Sequence, residues 1–360
     1  MKPTVHFSFT VPLGATLFRR AVDKALVFSH LPPLYRMGWD PLIPWQRPIR
    51  SVHAISYNLL HTFRAKGYPV RFYSLYEHGV APLKPDDIFV GLPIPQSGMG
   101  MTRSEIDDRH SVTSRTIREY PRNKNFIIMP YSHDPLYVGW TKDLVGENAR
   151  QGGGIIFVGG EIWARNWSAS PYADISPLKK IHVVMGIDPN DYPLVKKRFN
   201  PRGKRKYLYI GHTAWYKNIE ELENIAASMP GFQGLHIGEG EIRGWKNRKF
   251  TALTPAFMKT IAEEYDIFVS TSTGDPQATT ILEQMCFGFV VACTPETGYD
   301  HPSLVSLDAR DTKKNIGILQ RLQYADESEL LARALQNREI AEKEHTWQRF
   351  CTSVTDFMGI

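Results

Sequence analysis

The chain has 360 residues, 42% of them hydrophobic and 22% charged, which is the balance of a soluble globular protein. That length suits two domains of ordinary size, each with its own core. The three cysteines (Cys286, Cys293, Cys351) are too few for a disulfide framework or a cysteine metal cluster, and the first two fall in apolar runs as core residues do.

Strand-like runs alternate with helical patterns, which predicts parallel sheets covered by helices. Val5–Val11 reads as a first strand, and Pro12-Leu-Gly14 turns into a helix around Phe18 to Phe28. Ile55 to Lys66 is a helix ending at Gly67, followed by the strand Val70–Leu75. Asp87–Gly91, Phe126–Met129 and Ile155–Val158 are three further strands. Residues 30–50, rich in Pro and Trp, and residues 98–124, polar and Arg-rich, have no period and read as long loops. After Lys180–Asp188, residues 189–206 carry seven basic side chains around Pro201 and Gly203 and read as a solvated linker. The strand–helix theme then resumes: strand Tyr207–Ile210, loop Gly211–Asn218, helix 219–228, strand Leu235–Gly240, short strand Phe250–Thr254, helix Ala256–Glu264, strand Tyr265–Ser270.

Charge is uneven. Residues 1–180 hold 22 Lys and Arg against 14 Asp and Glu, a net of +8, and the remainder holds 21 against 23, a net of −2. The first half is therefore expected to meet something anionic, an acidic acceptor or a lipid surface. Arg19, Arg20 and Lys24, interleaved with Phe18, Leu26 and Phe28, are where a peripheral membrane contact is expected. The basic residues are scattered and no nucleic-acid motif occurs, so nucleic acid is not an expected partner. No stretch reaches the ~18 apolar residues of a membrane span. The N-terminus lacks the basic-then-apolar order of an export signal, and the expected location is the cytoplasm, extending to the inner face of a membrane.

The most informative segment is Asp275-Pro-Gln-Ala-Thr-Thr-Ile-Leu-Glu283-Gln-Met-Cys-Phe-Gly288, between a strand and the apolar run Phe289–Cys293. It reads as loop, helix start, an acid about a turn in, and a glycine at the helix end. The first helical amides lack internal partners and can hold a phosphate, while a carboxylate one turn on can take two ribose hydroxyls. This segment closely resembles the donor-site signature of retaining GT-B glycosyltransferases of the family 4 type. The resemblance implies an α/β fold of two Rossmann-like domains facing each other across a cleft. Its implied bounds are an acceptor-side domain over 1–186, a linker over 187–206, a nucleotide-sugar domain over 207–345, and a helix over 346–360 that crosses back to the first domain. The turn Gly186-Ile-Asp188 and the pair Thr346-Trp347 are similar to the family's landmarks at those junctions.

The resemblance also implies roles. Asp275, where the family usually has Glu, would contact donor-sugar hydroxyls, and Glu283 would bind the nucleotide ribose. Lys217 matches the cation that grips the diphosphate, and His212 stands where Arg is usual. Gly211 belongs to the same turn, and the amides near Ala278, Thr279 and Thr280 would face the diphosphate. From the first domain, His133 resembles the strand-end histidine that approaches the donor sugar, and Gly14 the glycine that lets backbone approach phosphate or acceptor. Glu161 is an acceptor-side candidate. An Asp-x-Asp pair for a divalent cation is missing from the sequence, so metal-independent transfer without a cofactor is expected. The donor is expected to be a UDP- or GDP-sugar, and the acceptor a glycan, a lipid-linked acceptor or a small molecule. Two other readings stay open: a scaffold or sugar-nucleotide-binding protein that has lost turnover, and another GT-B enzyme such as a nucleotide-sugar epimerase or an inverting transferase. A two-domain solute-binding protein is disfavoured by the missing export signal.

Overall fold

A computed structural model describes residues 2–10, 51–74, 79–93 and 111–360. The expected helix around 18–28, Gly14, and the basic set Arg19, Arg20 and Lys24 lie outside the described residues.

The described chain forms two wholly parallel six-stranded sheets. The first holds β1 (Val5–Phe9), β2 (Val70–Ser74), β3 (Ile88–Gly91), β4 (Lys124–Pro130), β5 (Gly154–Val158) and β6 (Lys179–Val183), in the order β2-β1-β3-β4-β5-β6. The second holds β7 (Tyr207–Ile210), β8 (Gly234–Gly238), β9 (Lys246–Lys249), β10 (Ile267–Ser270), β11 (Val290–Cys293) and β12 (Val305–Ser306), in the order β12-β11-β10-β7-β8-β9. Parallel neighbours need crossover connections, and helices supply them. In the first half these include α1 (Ser51–Ala65), α2 (Val112–Glu119), the single turn α3 (Pro135–Val138), α4 (Lys142–Arg150) and α5 (Glu161–Arg165). In the second they are α6 (Ile219–Ser228), α7 (Pro255–Glu264), α8 (Thr279–Phe287), α9 (Thr312–Tyr324) and α10 (Glu327–Glu344). The last helix, α11 (Trp347–Met358), packs on α1 and β6 of the first sheet.

The inner strands of the second sheet are buried on both faces, as a doubly covered sheet requires. Leu208, Ile210, Phe268 and Val291 face α8, whose Ile281, Leu282 and Met285 join the same cluster. Their neighbours Tyr207, Tyr209, Ile267 and Val269 point the other way, under Leu222 of α6 and Leu319 of α9. This period-2 alternation is why short apolar runs here become strands.

Three expectations change. The edge strand is Lys246–Lys249, exposed along its length, and 250–254 is not a strand. Residues 112–119 form a helix, capped by the Ser111 hydroxyl accepting from Ser114 N. Its buried side sets Val112 and Ile117 among Thr113, Ser114 and Thr116, and Thr113 and Thr116 bond to Leu92 O and Ala81 N, so much of what this short helix buries is polar. The basic linker is not wholly solvated. Lys196 and Arg205 are each 3% exposed. Lys196 Nζ lies 2.8 Å from Asp266 Oδ1, and Arg205 donates to the carbonyls that end α9.

Candidate active site at the switch point of the second sheet

In the second sheet the chain runs outward from β7 to β8 and β9, then returns to the other side of β7 as β10. Strand order reverses between β7 and β10, and open α/β sheets bind ligands beyond the carboxyl ends of the strands at such a point. The two loops that leave these ends, 211–218 and 271–278, carry Gly211, His212, Lys217, Asp275 and Ala278.

Side chains lace the loops together. Thr271 Oγ1 donates to Asn218 O at 3.1 Å, Ser272 Oγ to Tyr216 O at 2.6 Å, and Thr273 N to Tyr216 O at 2.9 Å. Asn218 makes the turn: it adopts the left-handed region (φ 53°, ψ 52°), which Asn tolerates better than most residues, between the short helical turn Trp215–Lys217 and α6. The result is that Lys217 Nζ forms an ion pair with Asp275 Oδ2, both side chains being about nine-tenths buried. Tyrosines surround the pair. Burial, with the Asp275 charge adding to it, pushes the phenols of Tyr137, Tyr209 and Tyr216 above the usual tyrosine range, so they stay neutral.

Beside the pair stands the N-terminus of α8. Its N-cap, Ala278, has no side chain to accept from the first-turn amides, and Thr279 and Thr280 are half-buried. Ala278 N itself donates to Thr297 O at 3.2 Å. An N-terminus without a capping group keeps its partial positive charge for an outside anion. Glu283 lies one turn further, 2% exposed, with its Oε1 3.4 Å from the Tyr192 hydroxyl of the linker. Arg338 of α10 holds the other end of α8, donating to Cys286 O and to Tyr192 O.

His212 is committed within its own loop. Its Nδ1 accepts from Ala214 N at 3.2 Å and its Nε2 lies 3.1 Å from the Tyr216 hydroxyl. Burial first, then the Lys217 charge, lowers its pKa, so the ring is neutral at pH 7. It differs in kind from the arginine that the resemblance leads one to expect.

The first domain reaches this site through the ends of β4 and β5. His133 Nε2 donates to Trp163 O at 2.8 Å, leaving Nδ1 as the ring's acceptor, and burial holds the imidazole below its ordinary pKa. Tyr137 meets Tyr216 edge-on, with ring centroids 5.1 Å apart. Glu161 is exposed at the start of α5. The elements thus bring together Lys217, Asp275, the first amides of α8 and the His133 segment, while Glu283 sits under Tyr192. Trp163, Tyr137, Tyr192 and Tyr216 carry no sequence signal of their own; the aromatic-rich runs around 131–137 and 215–216 were the available hint. Among the described residues no His, Cys, Asp and Glu cluster that could hold a metal ion occurs.

Neither a protein-family model nor a curated protein matches the sequence. Solved structures do. The sucrose-phosphate synthase of Thermosynechococcus elongatus aligns over 99% of this chain and 98% of its own, at 10% identity and a TM-score of 0.60. The α,α-trehalose-6-phosphate synthase of Burkholderia multivorans aligns over 100% and 98%, at 10% identity and 0.58. TarM aligns over 77% of this chain at 12% identity and 0.54, and the alignment spans 56% of TarM's length. With its paired parallel sheets and its full-length likeness to the two synthases, the chain has the GT-B fold.

Proposed function

We propose that the protein is a retaining glycosyltransferase that moves a sugar from a nucleoside-diphosphate sugar to an acceptor held by the first domain. The observation that carries this is the meeting of Lys217, Asp275 and the uncapped start of α8 at the β7/β10 switch point. The diphosphate would lie on the Lys217 ammonium and the amides of Thr279 and Thr280, which together offset the charge that grows on the leaving group. Asp275 would take donor-sugar hydroxyls and Glu283 the ribose, the second of these requiring Tyr192 to yield. His133 would orient the sugar from the opposite domain.

In the reaction the bond from the anomeric carbon to the diphosphate oxygen breaks. The acceptor oxygen bonds to the same face, and its proton passes to the departing diphosphate. No side chain need act as general base, in keeping with a neutral, already bonded His212. The ammonium and amide donors answer the diphosphate charge, so a divalent ion is not required. The basic balance of residues 1–180 favours an anionic or membrane-presented acceptor.

A thermal-shift panel of UDP-, GDP-, ADP- and dTDP-sugars tests the donor assignment, since a ligand that binds only the folded chain raises its melting temperature. A shift with at least one donor is expected; a flat panel rejects the reading. The commitment of His212 within its loop and the shorter acid at Asp275 favour one second reading, a sugar-nucleotide-binding protein without turnover. It predicts the same shifts but no release of nucleoside diphosphate.

A further inference from the structure

The chain that leaves β5 crosses to the second domain at backbone distance. A Cβ placed on Gly160 would lie 1.7 Å from Gly298 O. Only glycine permits that approach. It lets Gly160 N donate to Pro276 O at 2.8 Å. One turn on, the indole Nε1 of Trp163 bridges two carbonyls of the donor loop, Asp275 O at 3.0 Å and Pro276 O at 3.1 Å. Trp163 is 6% exposed, so this bridge is shielded from water. Its own carbonyl accepts from His133, whose ring lies 5.1 Å from the indole ring.

One residue therefore holds the first-domain histidine by its main chain and the donor-loop acid by its side chain. We propose that Trp163 is a positioning residue of the transfer reaction, setting Asp275 relative to His133 when the two domains meet; this rests on the nucleotide-sugar reading above. Within the second domain the loop is tied by Thr273 N, Asp275 N and Ala278 N, which bond to Tyr216 O, Glu296 O and Thr297 O. The carbonyls of Asp275 and Pro276 instead face the first domain, and buried carbonyls need donors. Their donors are Gly160 N and the Trp163 indole. Separating the domains removes these bonds and leaves the backbone beside Asp275 less restrained. Order in the sugar-binding acid is thereby coupled to domain closure.

Trp163→Phe keeps a buried ring and deletes the N–H. The diphosphate contacts on Lys217 and α8 are untouched, so affinity for the free nucleoside diphosphate should stay within about twofold, while kcat falls about tenfold, the loss of one shared buried hydrogen bond. In an Asp275→Asn background the same substitution should cost much less, because the carboxylate it positions is gone. Wild-type kcat in Trp163→Phe, or an equal loss in both backgrounds, would overturn the inference and mark the indole as structural only. A proportional loss of nucleotide affinity would do the same. If the wild-type protein turns over no sugar nucleotide at all, the functional reading fails first and takes the inference with it.

Discussion

Asp275→Asn is a substitution whose effect on affinity has an unusual sign. In the structure Asp275 neutralises Lys217, with side-chain exposures of 9% and 11%, so the pair is little screened by salt. A diphosphate that takes the Lys217 ammonium must displace this carboxylate or sit beside it. Two unit charges ~5 Å apart at an effective dielectric of ~20 repel by about 3 kcal/mol. Even if relaxation removes half of that, the free nucleoside diphosphate should bind the Asn variant about tenfold more tightly, since about 1.4 kcal/mol is one factor of ten. The intact sugar nucleotide should not share the gain. Its sugar hydroxyls lose a charged acceptor, a contact of about 1.5–3 kcal/mol. Titration calorimetry with the diphosphate and its sugar conjugate on wild type and variant reads both terms. Unchanged or weaker binding of the free diphosphate to Asp275→Asn would refute the reasoning.

Lys217→Ala and Glu283→Ala should each weaken nucleotide binding roughly tenfold or more, charge-assisted contacts being involved in both; unchanged affinities in calorimetry would remove those assignments. Sugar transfer should survive EDTA and gain little from added magnesium or manganese, measured as product formed per minute with and without chelator. Stability should depend on pH through His345, which is 8% exposed and whose pKa burial lowers from 6.5 to about 4. Between those values the unfolded chain binds a proton that the folded chain refuses. Stability is therefore full above pH 6.5 and falls as the pH drops towards 4, by on the order of 3 kcal/mol at most. Denaturant titrations across that range should show the fall, and His345→Gln should make it shallower without abolishing it, because burial lowers His182 to about 4 as well.

Fold class was legible because the inner strands of both sheets are short apolar runs between helical patterns, and a sheet buried on both faces writes itself that way. What escaped reading was written in charge or in polar packing. β9 is Lys-Asn-Arg-Lys, an edge strand with no apolar residue, so periodicity passed over it and chose 250–254. Charged edges discourage pairing with other chains, which makes such a strand physically sensible and hydropathically silent. Lys196 and Arg205 looked like members of a solvated run because their partners, Asp266 and the end of α9, lie 60 or more positions away. The loop chemistry around Asp275 showed in the sequence as an acid eight residues before Glu283 and a helix start between them. Its ion pair with Lys217 did not, nor did the link from His133 through Trp163 to Asp275 O. Those contacts depend on how two loops and two domains meet, which no local pattern records.

Turnover of a sugar nucleotide by these residues is the property on which every other assignment depends. The decisive measurement is chromatographic detection of nucleoside diphosphate released from a panel of UDP-, GDP-, ADP- and dTDP-sugars in long incubations, with water as the acceptor hydroxyl and with wild type and Lys217→Ala side by side. Release from at least one donor by the wild-type protein is expected, with a loss of about tenfold or more in the variant. No release from any donor, or equal release by both proteins, would contradict this expectation.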